Sequence, residues 1–323
     1  MPHFLVDLPE DMTVSCRDYL FRQGVSRNLW KKIKRAPFTV NDVRVNPTQT
    51  MLSRGDVIRY ETPAASPQIA AENLPLDVRY EDEWLLIVNK PAGQLVHPTV
   101  TDHGGTLANA VMYHYAANGE SHAFHPVFRL DRQTSGLILI AKEPQIQYQL
   151  MQEHGKQIER RYLALIPGRL TPTSGLIDAP IARALPSIIL RKVSLDGKPA
   201  RTHYRTLAYY PPVDVSDAFD TSIPVSSKQN TLSFNGASLL ELTLDTGRTH
   251  QIRVHLAHLG CPLFGDDLYG GSCTELSRQA LHAYSLTFTH PVRNFQIHIT
   301  APLPDDMLCF VRKYTTKLRF LRR

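Results

Sequence analysis

Two apolar runs constrain this chain most: Trp84-Leu85-Leu86-Ile87-Val88 and Leu137-Ile138-Leu139-Ile140-Ala141. Short unbroken apolar runs bounded by polar residues read as buried strands, which need cover from other elements. The elements around them alternate irregularly. Residues 106–117 pattern as a helix with Thr106 as its cap, and residues 144–154 as another, ended by Gly155. Ile158 to Ile166 reads as a strand containing Tyr162, and Ser238 to Leu244 as an alternating strand. Two strands are predicted near 285–289 and 295–300, and a final helix from Pro304, with Asp305 and Asp306 in its first turn. No regular βαβ repeat connects these pieces. The expected fold class is therefore α+β, with a mixed, mainly antiparallel sheet rather than a doubly wound one.

Residues 1–60 read as a separate small module. Within it, two short helices are predicted near 14–23 and 26–34, with Gly24 ending the first and Ser26 capping the second. Leu29 and Ile33 give the second helix an apolar edge. Short strands follow at 38–40, 43–45 and 57–60, with a turn at Asn41-Asp42. Residues 61–75 are Pro- and Ala-rich without periodicity and read as a linker. Residues 76–323 form the large domain, interrupted by a polar insert at 211–231.

With 42% apolar and 20% charged residues, the composition is that of an ordinary globular chain. No apolar run approaches the roughly 18 residues of a membrane span, and the N-terminus lacks the pattern of a secretory signal. Four scattered cysteines suit reduced thiols in a cytoplasm, and a monomer without an obligate protein partner is expected. A metal reading of His255-x-x-His258-x-x-Cys261 lacks a second ligand pair at structural-zinc spacing, so no metal is expected. The net charge of +6 is unevenly placed. Arg27, Lys31, Lys32, Lys34 and Arg35 crowd the second predicted helix, a cluster that attracts polyanions.

Three stretches carry candidate chemistry. In the first, Arg129-Leu130-Asp131-Arg132 places one carboxylate between two arginines just before a buried strand, a rigid support for a reactive group. A carboxylate in a cleft needs a cationic or hydrogen-bonding partner to stay charged, and Arg129, Arg132 and Arg253 are candidates. In the second, Asp245-Thr246-Gly247 turns into a helix capped by Thr246 or Thr249 and ended by Gly260. Ile252, Leu256 and Leu259 set the buried stripe of that helix, and Arg253 lies beside it, able to reach a buried anion. In the third, Tyr162 follows Arg160-Arg161 on a strand, where a tyrosine can stack on a base.

Read together, these stretches resemble the RluA-type family of RNA pseudouridine synthases over residues 76–303. The matching residues are Asn89-Lys90-Pro91-Ala92-Gly93 with Val96-His97, Arg129-Leu130-Asp131 with Thr134-Ser135-Gly136, Tyr162 with Ala164, and Gly247-Arg248-Thr249-His250-Gln251-Ile252-Arg253. Gly265-Asp266, Tyr269-Gly270, Leu281-His282-Ala283 and His290-Pro291 follow in order. Phe128 departs from the family's usual histidine. The N-terminal module resembles the alpha-L RNA-binding module of a ribosomal small-subunit protein. It matches at Gly24-Val25-Ser26-Arg27, Val40-Asn41 and Arg54-Gly55-Asp56-Val57-Ile58, and departs at Ala36-Pro37-Phe38-Thr39.

The resemblance implies an isomerisation. The N1–C1′ bond of a uridine breaks, the uracil turns, and C5 bonds to C1′. Nothing is added or lost, so no cofactor is implied. It makes Asp131 the essential carboxylate, Tyr162 the residue stacking on uracil, Arg253 the partner holding Asp131 ionised, and Arg129 the residue that fills the flipped nucleotide's place. It puts Lys90, His97, Phe128, Arg132, Thr134, Arg248, His250 and Gln251 on the substrate side. The route stays open between attack at C1′, addition at C6 and removal of the 2′ proton. The partner implied is RNA, ribosomal by preference or transfer RNA. Two other functions fit the same residues: a non-catalytic RNA-binding or folding factor, and a uridine N-glycosidase that uses water as acceptor.

Overall fold

In a computed structural model, the described residues are 3–23, 25, 27–60, 69–152, 158–211 and 236–320. The caps expected at Gly24, Ser26 and Gly155 lie outside them, as does the insert expected at 211–231 apart from residue 211.

The N-terminal unit contains β1 (His3–Leu5), β2 (Val14–Ser15), α1 (Cys16–Arg22), α2 (Arg27–Ile33), β3 (Phe38–Val40), β4 (Val43–Arg44), β5 (Met51–Leu52) and β6 (Val57–Tyr60). Ser15 starts α1 by accepting the Asp18 backbone N–H at 3.1 Å. Asn41 and Asp42 both take positive φ, 52° and 64°, which lets β3 reverse tightly into β4. The sheet runs β1-β6-β3-β4, so residues 3–5 supply an edge strand that the sequence pattern did not mark. Trp30 and Ile33 of α2 are buried with Leu20, Phe38, Leu52 and Ile58, while Leu29 is only partly buried. All five basic residues of α2 and its exit, Arg27, Lys31, Lys32, Lys34 and Arg35, are exposed.

The large unit begins earlier than residue 76. Residues 61–68 lie outside the described residues, but 69–75, expected to be linker, pack against the large unit. Ile69 joins its core, Asn109 donates to the Ala70 carbonyl at 2.8 Å, and Glu72 accepts the Gly105 N–H at 2.9 Å.

Its first half holds β7 (Val78–Glu81), β8 (Leu85–Lys90), α3 (Leu107–Ala117), β9 (His125–Pro126), β10 (Ser135–Ala141), α4 (Pro144–Gln152) and β11 (Glu159–Pro167). Then come β12 (Ser174–Asp178), the hairpin of β13 (Ile181–Arg183) and β14 (Arg191–Val193), β15 (Arg201–Tyr210) and β16 (Ala237–Leu244). The chain continues through α5 (Gln251–His258), β17 (Leu281–Thr289), β18 (Gln296–Thr300) and α6 (Asp305–Phe320). One ten-stranded sheet runs β12-β15-β16-β11-β17-β10-β8-β7, with β18 added to β17 and β9 to β10. Its pairings are antiparallel except β10 with β17. This is the mixed α+β fold that the sequence predicts.

The two apolar runs sit where their composition demands. Alternate residues of a strand face opposite ways. In β8 and β10, Leu86, Val88, Ile138 and Ile140 enter one core with α3, while Leu85, Ile87, Leu137 and Leu139 enter another with α4. All seven residues of β10 are buried. Each fully buried Leu, Ile or Val contributes about 1.5–3 kcal/mol, so this central strand is the sheet's most firmly held part. A third cluster seats Met307, Phe310 and Tyr314 of α6 against Leu165, Tyr210 and Ala237. No helix among the described residues is long and apolar enough to cross a membrane.

The parallel pairing brings backbones unusually close at Gly136, whose φ is +118°. A Cβ there would lie 2.3 Å from the Ala283 carbonyl oxygen and 2.5 Å from its nitrogen. Gly136→Ala is therefore expected to lose about 2–5 kcal/mol of stability through strain and overlap, read as a lowered urea midpoint. A wild-type midpoint would mean that the two strands separate freely at this point.

Candidate active site

Asp131 lies in the loop between β9 and β10, and that loop is fixed carbonyl by carbonyl. The Asp131 carbonyl accepts the Thr134 N–H at 3.1 Å. The Arg132 carbonyl accepts the Gly93 N–H at 2.9 Å and the Lys90 ammonium at 3.1 Å. The Gln133 carbonyl accepts from Arg278 Nη1 at 3.0 Å. Lys90 is fully buried, and its other two donors go to the carbonyls of Pro91 at 2.7 Å and Gln94 at 2.9 Å. Burial, with Arg278 nearby, lowers its ammonium to about 7 against the opposing pull of Asp131. Three carbonyl acceptors nevertheless match the three N–H donors of the charged form. Arg278 is itself anchored by Asp306 of α6 at 2.7 and 2.9 Å.

The Asp131 carboxylate, 26% exposed, meets Arg253 Nη1 at 3.2 Å. Arg253 comes from α5, whose Ile252 and Leu256 are buried. Its other edge makes a two-pronged pair with Asp266: Nε to Oδ2 and Nη2 to Oδ1, both at 2.8 Å. Asp266 is fully buried and Arg253 nearly so. Burial alone lowers a guanidinium, yet the Asp266 bonds and both carboxylate charges raise this one. One guanidinium thus serves two carboxylates, one sealed in the core and one partly open to solvent. His250 Nε2 lies 3.9 Å from the other Asp131 oxygen.

Tyr162 sits where the register of β11 against β17 shifts between Arg161 and Tyr162. A bulge re-aims side chains next to it. The Tyr162 ring packs in the core that includes Leu130, Ile138 and Leu242. Burial and the Asp131 charge both push its phenol up, opposed by Arg160. Arg160 in turn lies over the ring of half-buried Phe128 at 5.4 Å.

The other expected residues divide. Arg129 and Arg132, proposed from sequence as partners of Asp131, are exposed and make no ion pair with it among the described residues. Arg132 bonds the Gly93 carbonyl at 3.1 Å and lies 3.6 Å from Asp102. His97 is exposed and packs edge-on against Phe124. Arg248 is exposed and lines a groove of about 490 Å³ with Arg183, Arg191 and Lys198. Three residues expected on the substrate side are instead buried and bonded within the protein. They are Lys90, Thr134 and Gln251. Thr134 accepts from Gln279 at 3.1 Å. Gln251 accepts from Thr246 and the Arg248 N–H, and donates to the Arg201 carbonyl and Thr202.

The expected threonine cap is also corrected. His250 occupies the cap position of α5 at φ +57° without a side-chain cap bond, and Thr246 serves Gln251 instead. The helix stops at His258, so Leu259 falls on its cap and is 40% exposed rather than in the stripe. Gly260 follows at φ +74°. His255 uses both ring nitrogens, on Thr202 at 2.8 Å and the Ala179 carbonyl at 2.9 Å. No group of three His, Cys, Asp or Glu able to hold a metal occurs among the described residues. Sequence reasoning missed the roles of Asp266 and Arg278. A buried arginine requires a buried carboxylate, and that demand was the signal available for Asp266.

A family model described as RNA pseudouridylate synthase matches residues 84–258. The chain is 37% identical over 304 residues to YjbO, an uncharacterized RNA pseudouridine synthase of Bacillus subtilis, covering 92% of this chain and 97% of that protein. It is 35% identical over 304 residues to the ribosomal large subunit pseudouridine synthase D of Xylella fastidiosa, covering 89% and 84% respectively. Among solved structures, human RNA pseudouridylate synthase domain containing 1 superposes with a TM-score of 0.51 at 22% identity, over 71% of this chain and 83% of that one. That last likeness is one of fold.

The shared guanidinium makes a stability prediction. Asp266→Ala leaves Arg253 buried with half its partners removed, which is expected to cost about 3–5 kcal/mol. Urea denaturation measures it, and a loss below about 1 kcal/mol would mean the Arg253–Asp266 pair behaves like a solvated one.

Proposed function

The chain belongs to the RNA pseudouridylate synthase family, isomerases that convert uridine in RNA to pseudouridine, and from that premise we propose that it acts on a uridine of large-subunit ribosomal RNA with Asp131 as the reacting carboxylate. The observation that carries the assignment is the split role of Arg253. Asp266 balances the guanidinium inside the core, so Asp131 is free to face the cleft while remaining charge-paired. A carboxylate serving only the fold would have no need of a partner already neutralised from behind.

The reaction balances within the nucleotide: the N1–C1′ bond breaks, the C5–C1′ bond forms, C5 loses a proton and N1 gains one. The uridine must leave its stack first, at a cost of roughly a few kcal/mol. On this reading exposed Arg129, two residues before Asp131, enters the vacated place, and the Tyr162 ring, packed against Leu130 in the core, meets the uracil once the nucleotide has entered. Exposed Lys31 and Lys32 of α2, with exposed Lys34 just after it, support an RNA-binding role for the N-terminal unit, in keeping with its alpha-L resemblance. The ribosomal preference rests on the likeness to the Xylella ribosomal large subunit pseudouridine synthase D.

Two experiments test this reading. Wild-type protein incubated with large-subunit ribosomal RNA is expected to form pseudouridine, and Asp131→Ala to form none while still binding RNA. Equal product from both proteins would remove Asp131 from the reaction, product on transfer RNA alone would overturn the ribosomal assignment, and abasic sites would indicate glycosidic cleavage instead. Replacing Lys31, Lys32 and Lys34 together by Ala is expected to lower the slope of log affinity against log salt by about 2–3. An unchanged slope would make the N-terminal unit structural.

A further inference from the structure

Opposite Asp131, on the side away from Arg253 Nη1, stands the His250 ring, itself held by hydrogen bonds that lead back into the protein. The Arg191 backbone N–H, in β14, donates to the Tyr269 hydroxyl oxygen at 3.1 Å. That hydroxyl lies 2.8 Å from His250 Nδ1. On the far side of the ring, Nε2 faces Asp131 Oδ1 at 3.9 Å. We infer that Tyr269 is a positioning residue that locks His250 as its Nε2–H tautomer and so turns an N–H toward the Asp131 carboxylate. The inference rests on the reading of Asp131 given above.

The direction of each bond follows from its ends. Arg191 N–H can only donate, so it occupies a lone pair of the Tyr269 oxygen. The phenol proton then has Nδ1 as its acceptor. If Nδ1 carried the proton instead, the phenol O–H would lose that acceptor, and the Nε2 lone pair would point at a carboxylate. Both ends of the ring favour the same tautomer. Burial lowers the basicity of the ring, with Arg253 and Arg191 acting the same way and Asp131 and Asp266 opposing. The charged and titratable groups facing it are thus Asp131 from the loop before β10, Arg253 from α5, Arg191 from β14, and Asp266 and Tyr269 from the segment after α5.

The backbone agrees. His250 is held at φ +57°, a conformation that histidine adopts at a cost and that persists where the surroundings enforce it. The Tyr269 ring also lies 5.0 Å from the Arg253 guanidinium and 5.7 Å, edge-on, from the His250 ring. Tyr269 therefore touches both residues that approach Asp131, its ring lying against both and its hydroxyl bonding His250 and the Arg191 N–H but not Arg253.

Tyr269→Phe isolates that hydroxyl, because the ring and its contacts remain. In protein labelled with nitrogen-15 in histidine, the long-range proton–nitrogen spectrum is expected to show His250 as the Nε2–H form, with Nδ1–H appearing in Tyr269→Phe. An Nδ1–H or doubly protonated ring in the wild type overturns the inference, whether or not the protein is active. The second readout is the single-turnover rate of pseudouridine formation at saturating protein. Tyr269→Phe is expected to lower it about 10-fold with RNA affinity unchanged. His250→Gln keeps an N–H donor toward Asp131, so adding Tyr269→Phe to it should cost nothing further. Multiplying losses in that double variant overturn the inference. Wild-type protein without pseudouridine product counts against the proposed function instead, and the spectrum still decides the tautomer.

Discussion

The site depends on how one buried cation is neutralised. Arg253 is brought into the core by α5, where an unpaired guanidinium could not be tolerated. Asp266 answers that demand with two short bonds to one edge of the fork. The remaining nitrogen then reaches Asp131 at the cleft. Planar guanidinium geometry makes this division possible, since its donors point in fixed and separate directions. A lysine could offer charge but could not align two carboxylates on opposite edges.

Rigidity on the other side of Asp131 has a different origin. Its loop gains nothing from regular secondary structure, so side chains supply the missing donors. Lys90 comes from the end of β8, Arg278 from the segment before β17, and Asp306 of α6 holds Arg278 in turn. The most buried strand of the sheet begins four residues after Asp131. Position is therefore transmitted from the apolar core to the carboxylate through polar bonds whose partners are all inside the protein.

Much of this fold is written in local pattern. The runs at 84–88 and 137–141 can only be covered strands, and Thr106 and Asp305-Asp306 mark real helix starts. The failures have physical causes. Residues 3–5 become a strand by pairing with the distant Val57–Arg59, which a short stretch does not advertise, and 78–81, polar and half exposed, become one only as the hairpin partner of the apolar run that follows. Leu259 fits helical periodicity, but its helix ends one residue earlier. In the site, sequence could group Asp131 with Arg253 and Tyr162 but could not separate exposed groups from groups buried among their own partners. Lys90, Thr134 and Gln251 have polar side chains and lie in the same motifs as the residues at the cleft. Only burial and bond partners tell the two sorts apart, and those depend on contacts as much as 145 positions away.

The pinned loop has a consequence for whatever enters the cleft. With the carbonyls of residues 131–133 already engaged, this stretch has little slack with which to mould itself around a ligand, so more of the adjustment falls on the nucleic acid. Discrimination then becomes a matter of mechanics. A uridine in a hairpin loop or a bulge yields at little cost, whereas one inside a regular duplex resists, whatever its neighbours spell. Rigidity in the protein is in this way converted into sensitivity to softness in the RNA.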